Sequence, residues 1–329
     1  MRPLAIIALL ALAANANANA DANGTGTGTG NPPASQEIQA PGPNGALSGT
    51  MLGPPGAAGP VMLLIPGSGP TDRDGNNPLG VTAAPYRLLA EALAGRGLTT
   101  VRIDKRGMFA SAGAVTDGNA VTIPDYVQDV RSWIGAIRTR TGADCVWLLG
   151  HSEGSLVALA AAQEADGICG LVLMSGPGRR VSEGLREQLR SNPANAPLLE
   201  QALAAIARIE AGQRVDTTGL HPALMPLFAP QVQGFLISLF SYDPAELVAR
   251  VNVPVLIVQG LSDIQVGEGD ARRLAAANPR ARLVLLPGVN HVLKLVPSGD
   301  RAANIATYSN PSLPLAEGVA DAIAGFLRR

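Results

Sequence analysis

The sequence has few of the residues that build metal, redox or nucleic-acid sites: two cysteines, three histidines and 3% aromatic residues in 329. Three scattered histidines and two cysteines do not form a metal-ligand cluster, and no glycine-rich phosphate loop follows a first strand. Charged side chains are scarce, and 25 Lys and Arg balance 26 Asp and Glu to a net charge of −1. This balance gives no basic surface for nucleic acid. We therefore expect no metal, no cofactor and no nucleic-acid partner.

The N-terminal residues have the pattern of a secretory signal peptide, which we predict for residues 1–20. Arg2 gives a positive start, an apolar run extends from Leu4 to Leu12, and overlapping Ala-x-Ala sites end at Ala20. An uncleaved anchor or a buried first helix is the alternative, but the run is shorter than the roughly 20 residues that cross a bilayer. Residues 21–35, rich in Gly and Thr, predict a flexible leader. We expect an exported protein, periplasmic or secreted, whose mature chain has no stable membrane insertion.

Short apolar runs and amphipathic segments alternate along the rest of the chain. The runs are Val61–Ile65, Val101–Ile103, Val146–Leu149, Leu171–Met174, Val255–Val258 and Leu283–Leu286, and the helical segments are Tyr86–Leu93, Tyr126–Arg138, Leu156–Gln163, Ala271–Ala277 and Leu315–Leu327. Apolar runs without polar alternation are typical of strands buried on both faces of a parallel sheet. The alternation predicts a doubly wound α/β fold. Residues 36–54 predict an antiparallel entry to the sheet.

One long interruption separates the fourth and fifth of these apolar runs. Residues 177–250 contain helical stretches divided by prolines and no strand-like run, and a plain loop of that length would be unusual. We predict a helical cap at 177–250, inserted into a core formed by residues 36–176 and 251–329. Its apolar side chains, which we expect to cover another part of the protein, are Leu224, Leu227, Phe228, Phe235, Leu236 and Phe240.

The two cysteines each precede an apolar run. If the strands beginning after Cys145 and Cys169 are neighbours in a parallel sheet, both cysteines lie at the same end of that sheet. An oxidising compartment would then permit a disulfide, whereas two buried free thiols are the alternative.

Ser152 is the candidate nucleophile. It lies in Gly150-His151-Ser152-Glu153-Gly154, directly after the run Val146–Leu149 and before a predicted helix. The Gly-x-Ser-x-Gly pattern is weak alone, but a strand–turn–helix context is that of a nucleophile elbow, in which a strained turn exposes the hydroxyl. A structural turn that happens to contain serine is the alternative.

A serine hydroxyl needs a base, and the base needs a carboxylate. Of the three histidines, His291 lies in a loop after the run Leu283–Leu286, where an open α/β sheet places reactive groups. His151 is expected to orient or pack, and His221 to start a helix in the cap. Asp263 follows the run Val255–Val258 and completes the chain order Ser, Asp, His that is typical of hydrolases of this type. Its rivals, Glu268 and Asp270, fall at the start of the next helix.

The oxyanion of acyl transfer needs two backbone donors. We expect them to be the N–H groups of Glu153, directly after the nucleophile, and of Ser68 in the loop Pro66–Pro70. A glycine- and proline-rich turn without a catalytic role is the alternative for that loop. Arg73, a little further on, could hold a turn network or bind an anionic substrate group.

With these residues assigned, the chain resembles the α/β-hydrolase superfamily, and in particular a bacterial esterase branch often described as serine aminopeptidase-like. The resemblance rests on Gly150–Gly154, Asp263, His291, residues 66–76 and Asp104–Gly107. It implies an α/β-hydrolase fold, with the cap inserted after strand six, and a carboxylesterase that takes a small ester. The uncharged side chains of the cap favour short to medium acyl groups. A peptidase or amidase, a thioesterase, or a non-catalytic binding protein on the same fold are the alternatives.

Overall fold

The computed structural model describes residues 34–54, 59–296 and 299–328. The predicted signal peptide and residues 21–33 of the predicted leader lie outside the described residues. Within these ranges the chain forms eight strands: β1 Ala34–Pro41, β2 Ala46–Gly53, β3 Val61–Ile65, β4 Thr99–Ile103, β5 Val146–His151, β6 Ile168–Met174, β7 Val255–Gly260 and β8 Arg282–Leu286. β1 thus begins two residues inside the predicted leader, because Ala34 and Ser35 pair with Gly53 and Leu52 of β2.

The strands form one sheet in the order β1-β2-β4-β3-β5-β6-β7-β8. β1 and β2 are antiparallel, and β2 also pairs antiparallel with β4; the remaining neighbours are parallel. The predicted fold class, a doubly wound and mostly parallel sheet entered by antiparallel strands, is therefore confirmed. β8 departs from the expected double burial: its residues are half-buried or exposed, because β8 is an edge strand.

Eleven helices lie within the described residues: α1 Pro85–Ala94, α2 Ile123–Thr141, α3 Glu153–Ala161, α4 Val181–Ser191, α5 Leu199–Glu210, α6 Met225–Phe228, α7 Pro230–Phe240, α8 Pro244–Ala249, α9 Glu268–Ala277, α10 Arg301–Ala306 and α11 Val319–Leu327. The apolar faces of α2, α3 and α9 join one buried cluster, and those of α1 and α11 join a second, which contains alternate residues of the same strands. The sheet is thus covered on both faces, as its uniformly apolar central strands require.

Five helices, α4 to α8, occupy the segment between β6 and β7 for which we predicted a cap. The helices of this segment pack on one another around a buried cluster that continues into the sheet domain. Among the described residues, no single helix is both long and apolar enough to cross a membrane. The joined pair Pro222–Phe228 and Pro230–Ala249, bent by 56°, reaches the required length and composition only when taken together.

Cys145 and Cys169 form a disulfide with their Cα atoms 5.2 Å apart. Cys145 lies directly before β5 and Cys169 is the second residue of β6, and these strands are parallel neighbours in the sheet. The bridge therefore ties the two strands at the edge opposite to the one at which β5 leads into Ser152. Of the two alternatives that the sequence left open, the structure has the disulfide.

Candidate active site

Ser152 lies in a strained turn between β5 and α3. Its φ of 54° and ψ of −123° fall in a region that residues with a side chain seldom adopt, at a cost of about 1–3 kcal/mol. The backbone N–H of Ser152 donates to the carbonyl of Met174 at 2.9 Å, which ties the turn to the end of β6. The turn places Ser152 at the carboxyl end of β5 and at the positive end of α3, on the wall of a cavity.

The two glycines that flank this turn have no room for a side chain. A Cβ added to Gly150 would overlap the carbonyl of Gly154, and a Cβ added to Gly154 would overlap the carbonyl oxygen of Ile65 at the end of β3. Glycine at position 150 therefore lets the turn close tightly on itself, and glycine at position 154 lets it pack directly on the end of β3. This packing explains the Gly-x-Ser-x-Gly pattern in steric terms.

Asp263 and His291 meet although 28 residues separate them. The Nδ1 atom of His291 lies 2.7 Å from Oδ2 of Asp263, whose side chain is fully buried. Burial raises the pKa of Asp263, but the charge of His291 and hydrogen bonds from His291 and the backbone N–H groups of Val266 and Gln265 outweigh it, so the pKa lies below its usual range. An ionised carboxylate on Nδ1 leaves Nε2 of His291 as the nitrogen that can accept a proton.

His151 does not face the cavity but connects three parts of the site. Its Nε2 lies 3.0 Å from the carbonyl oxygen of His291, and its Nδ1 lies 2.8 Å from the hydroxyl of Tyr86. Because a carbonyl only accepts, Nε2 carries the hydrogen and Nδ1 accepts from Tyr86. The hydroxyl of Tyr86 in turn accepts from the N–H of Gly67 at 3.0 Å. Burial, and then the charge of His291, lower the pKa of His151 to about 3, so its imidazole is neutral.

The two expected oxyanion donors lie on the same cavity wall as Ser152. Ser68, Ser152, Glu153 and Asp263 all line the cavity. The loop containing Ser68 approaches closely, since a Cβ added to Gly67 would lie 3.3 Å from the Cβ of Ser152. The structure therefore gathers the predicted residues at one edge of the sheet, in loops that follow β3, β5, β7 and β8.

Two functional candidates, Lys105 and Tyr86, were not assigned a role from the sequence. The Nζ atom of Lys105 donates to the carbonyl of Gly67 at 2.7 Å and lies 3.7 Å from Oε1 of Glu153. Burial lowers the pKa of Lys105 and raises that of Glu153, and the attraction between the two opposes both shifts. The available signal was Asp104-Lys105-Arg106 directly after β4, because three charged residues are unusual at the end of a buried strand.

Arg73 takes the first of its two proposed roles. Its guanidinium donates to Asp104 at 2.8 and 3.0 Å and to Glu37 and Thr50 at 2.7 and 2.8 Å. Arg73 thus joins the turn after β3 to β1, β2 and the end of β4, and the network favours the structural role over substrate binding. The rivals of Asp263 lie in the first turn of α9, and His221 caps a short 3₁₀ turn, both as expected.

The cavity beside Ser152 has a volume of about 320 Å³. The apolar cap residues do cover another part of the protein, but that part is the hydrophobic core and not this cavity. The residues buried there are Leu224, Leu227, Phe228, Phe235, Leu236 and Phe240. The wall of the cavity includes α4, the residues directly before α4 and the loop before α9. Arg179, Glu187 and Gln188 are among its polar side chains, and Leu239 and Val266 are among its apolar ones. Helix α4 turns a polar side to the site because its apolar residues pack on α5 and α7. Within the described ranges, the cavity included, no group of three or more His, Cys, Asp or Glu side chains could hold a metal ion.

Comparison with known proteins agrees with this architecture. A sequence model described as "Alpha/beta hydrolase family" matches residues 62–306. The esterase EstD of Thermotoga maritima is 24% identical over 245 residues, which are 71% of this chain and 54% of EstD. The chain thus spans about half the length of that curated relative.

Solved structures with a similar fold include two named enzymes. Est1E from Butyrivibrio proteoclasticus has a TM-score of 0.56 at 17% identity and covers 89% of this chain and 99% of its own. Proline iminopeptidase from Mycobacterium smegmatis has a TM-score of 0.56 at 18% identity, covering 89% and 98%. At such identities the likeness shows the fold alone.

Proposed function

The chain belongs to the alpha/beta hydrolase family, and from that premise we propose that it is a serine hydrolase that cleaves carboxylic esters. The observation that carries the proposal is the 2.7 Å pairing of His291 with a buried, ionised Asp263, beside a cavity onto which a strained Ser152 projects. Nucleophile, base and orienting carboxylate are the three parts that acyl transfer requires.

In the proposed reaction, Nε2 of His291 takes the proton from Ser152 as its Oγ attacks the ester carbonyl. The carbonyl electrons move onto oxygen, where the N–H groups of Ser68 and Glu153 stabilise the charge. His291 then gives the proton to the departing alcohol, leaving an acyl group on Ser152. Water, deprotonated by the same histidine, attacks the acyl-enzyme and releases the acid.

A small ester is the substrate that the cavity favours. Its volume of about 320 Å³ is at the lower end of the range for small-molecule sites, so it has little room for a long alkyl chain. We therefore propose short acyl chains over medium ones. The EstD relative, an esterase by name, supports ester chemistry.

A peptidase or amidase is the second candidate. Such an enzyme would need a carboxylate at the site to hold the amine of the substrate. Glu187 of the cap and Asp270 do line the cavity. However, Arg179 forms ion pairs with both of them, so neither offers an unshared charge to an amine. This pairing favours the ester.

Export to the periplasm or medium remains a proposal too, supported by the signal pattern and by the disulfide, which persists in oxidising compartments.

The test is hydrolysis of p-nitrophenyl esters from acetate to palmitate, with labelling by a fluorophosphonate. Ser152→Ala should lose both turnover and labelling. Ser155→Ala is the matched control, since this buried hydroxyl donates to the carbonyl of Gly150 at 2.7 Å and does not line the cavity; it should keep both. Retained turnover in clean Ser152→Ala protein would refute the mechanism. Labelling at Ser152 without ester turnover would move the search to amides.

A further inference from the structure

The peptide groups on both sides of Gly67 are fixed by buried side chains. On one side, the N–H of Gly67 donates to the hydroxyl of Tyr86 at 3.0 Å. On the other side, the carbonyl of Gly67 accepts from Nζ of Lys105 at 2.7 Å. A glycine in a loop would otherwise have wide conformational freedom. Two side chains from different elements therefore set the orientation of this loop.

The bond to Lys105 also determines the direction of the next N–H. The carbonyl of Gly67 and the N–H of Ser68 belong to the same peptide group, and no described peptide bond is cis. In a planar trans peptide these two bonds point in opposite directions. Because the ammonium group draws the carbonyl towards the buried side, the N–H of Ser68 points away from it. Ser68 lines the cavity together with Ser152.

The same ammonium group reaches the other expected oxyanion donor. Nζ of Lys105 lies 3.7 Å from Oε1 of Glu153, and both side chains are only 5% exposed. Glu153 supplies the second N–H, directly after the nucleophile. A buried ion pair is costly to desolvate and is weak evidence for stability. Its position between the two donor loops points instead to a role in their geometry.

We propose that Lys105 is a positioning residue of the oxyanion hole, whose ammonium group fixes the Gly67–Ser68 peptide and Glu153 in the orientation that the tetrahedral intermediate requires. Lys105 does not touch the substrate. It also polarises the peptide, since a cation on the carbonyl oxygen makes the N–H of Ser68 a stronger donor. This inference rests on the proposed acyl-transfer function.

The first experiment replaces the lysine with an apolar side chain of similar length. Lys105→Met should lower kcat for p-nitrophenyl acetate by about 10²-fold, the effect of losing one oxyanion donor, with little change in KM. It should weaken binding of a trifluoromethyl ketone, whose adduct carries the oxyanion, by a similar factor. Arg106→Lys is the control. Arg106 follows Lys105 in the same loop but forms its ion pair with Asp129 of α2, at 2.7 Å. This variant should therefore have a lower melting temperature and an unchanged kcat.

A second experiment restores the charge and separates it from packing. Both native cysteines are in the disulfide, so the thiol introduced by Lys105→Cys can be alkylated selectively in urea before refolding. Alkylation with 2-bromoethylamine rebuilds a lysine-like ammonium, and alkylation with 1-bromopropane gives the same shape without charge. We expect kcat of the first product to exceed that of the second at least tenfold.

The outcomes separate the two proposals. Equal kcat for the two alkylated proteins, or a Lys105→Met variant whose ketone affinity matches the parent, would overturn the role of Lys105 while Ser152 still labels. If the parent protein itself fails to label at Ser152, the proposed function fails first.

Discussion

Acidification should destabilise the fold through His151. This imidazole uses both nitrogens in its neutral form, donating from Nε2 to His291 and accepting at Nδ1 from Tyr86. A second proton on Nδ1 would face the hydroxyl proton of Tyr86, and the cationic ring would have its centroid 4.6 Å from that of His291. Burial, followed by the charge of His291, therefore lowers the pKa of His151 to about 3.

The sign and size of the effect follow from that value. Below pH 6.5, the ordinary value for histidine, the unfolded chain takes up a proton that the folded chain refuses until about pH 3. The free energy of unfolding is thus unaffected by His151 above pH 6.5 and falls as the pH drops towards 3. At about 1.4 kcal/mol for each tenfold change in proton affinity, the loss by pH 4 is roughly 3 kcal/mol.

Urea unfolding of the parent and of His151→Gln from pH 7 to pH 4 measures this loss. The glutamine can keep a donor for the carbonyl of His291 but does not titrate. The free energy of unfolding of the variant, relative to that of the parent, should therefore rise by about 3 kcal/mol as the pH falls. Carboxylates distant from residue 151 titrate equally in both proteins, so their contributions cancel. A parallel curve for His151→Gln would refute the reasoning.

Three further predictions concern stability and the site. Replacing both Cys145 and Cys169 by serine opens a loop with a sequence separation of 24, which should lower the free energy of unfolding in urea by about 3 kcal/mol; a loss under 1 kcal/mol would contradict the estimate. Gly154→Ala should prevent native folding through overlap with the backbone of β3, whereas Gly135→Ala, which meets no atom within 4 Å on α2, should gain about 0.5–1 kcal/mol, both read from melting curves. Tyr86→Phe removes the partner of two buried groups and should cost about 2 kcal/mol and lower kcat; unchanged values of both would contradict that account.

The fold was predictable from the sequence because its signals are local. The run Val61–Ile65 coincides with β3, and the run Val255–Val258 lies within β7. The predicted segment Leu315–Leu327 starts four residues too early, since Gly318 adopts a left-handed conformation and the helix begins after it. β8 was predicted to be buried because its composition does not reveal which strand lies at the edge.

The proposed triad could be assigned from the sequence, because elimination among three histidines and the order of the residues along the chain were sufficient. The contacts of Lys105 could not be predicted from the sequence, because they depend on which loops the topology brings together. What the apolar face of the cap covers could not be predicted for a related reason. An apolar set such as Phe228 and Phe240 indicates burial but not its direction, and here it faces the core of the fold rather than the cavity.

The disulfide and Ser152 lie at opposite ends of the same central strand. Cys145 precedes β5 and Ser152 follows it, so the two are separated by the six residues of the strand, about 20 Å. A change at the disulfide should therefore alter the free energy of unfolding without moving the atoms of the proposed active site. Stability and the proposed activity could then be changed separately, by substitutions at opposite ends of this strand.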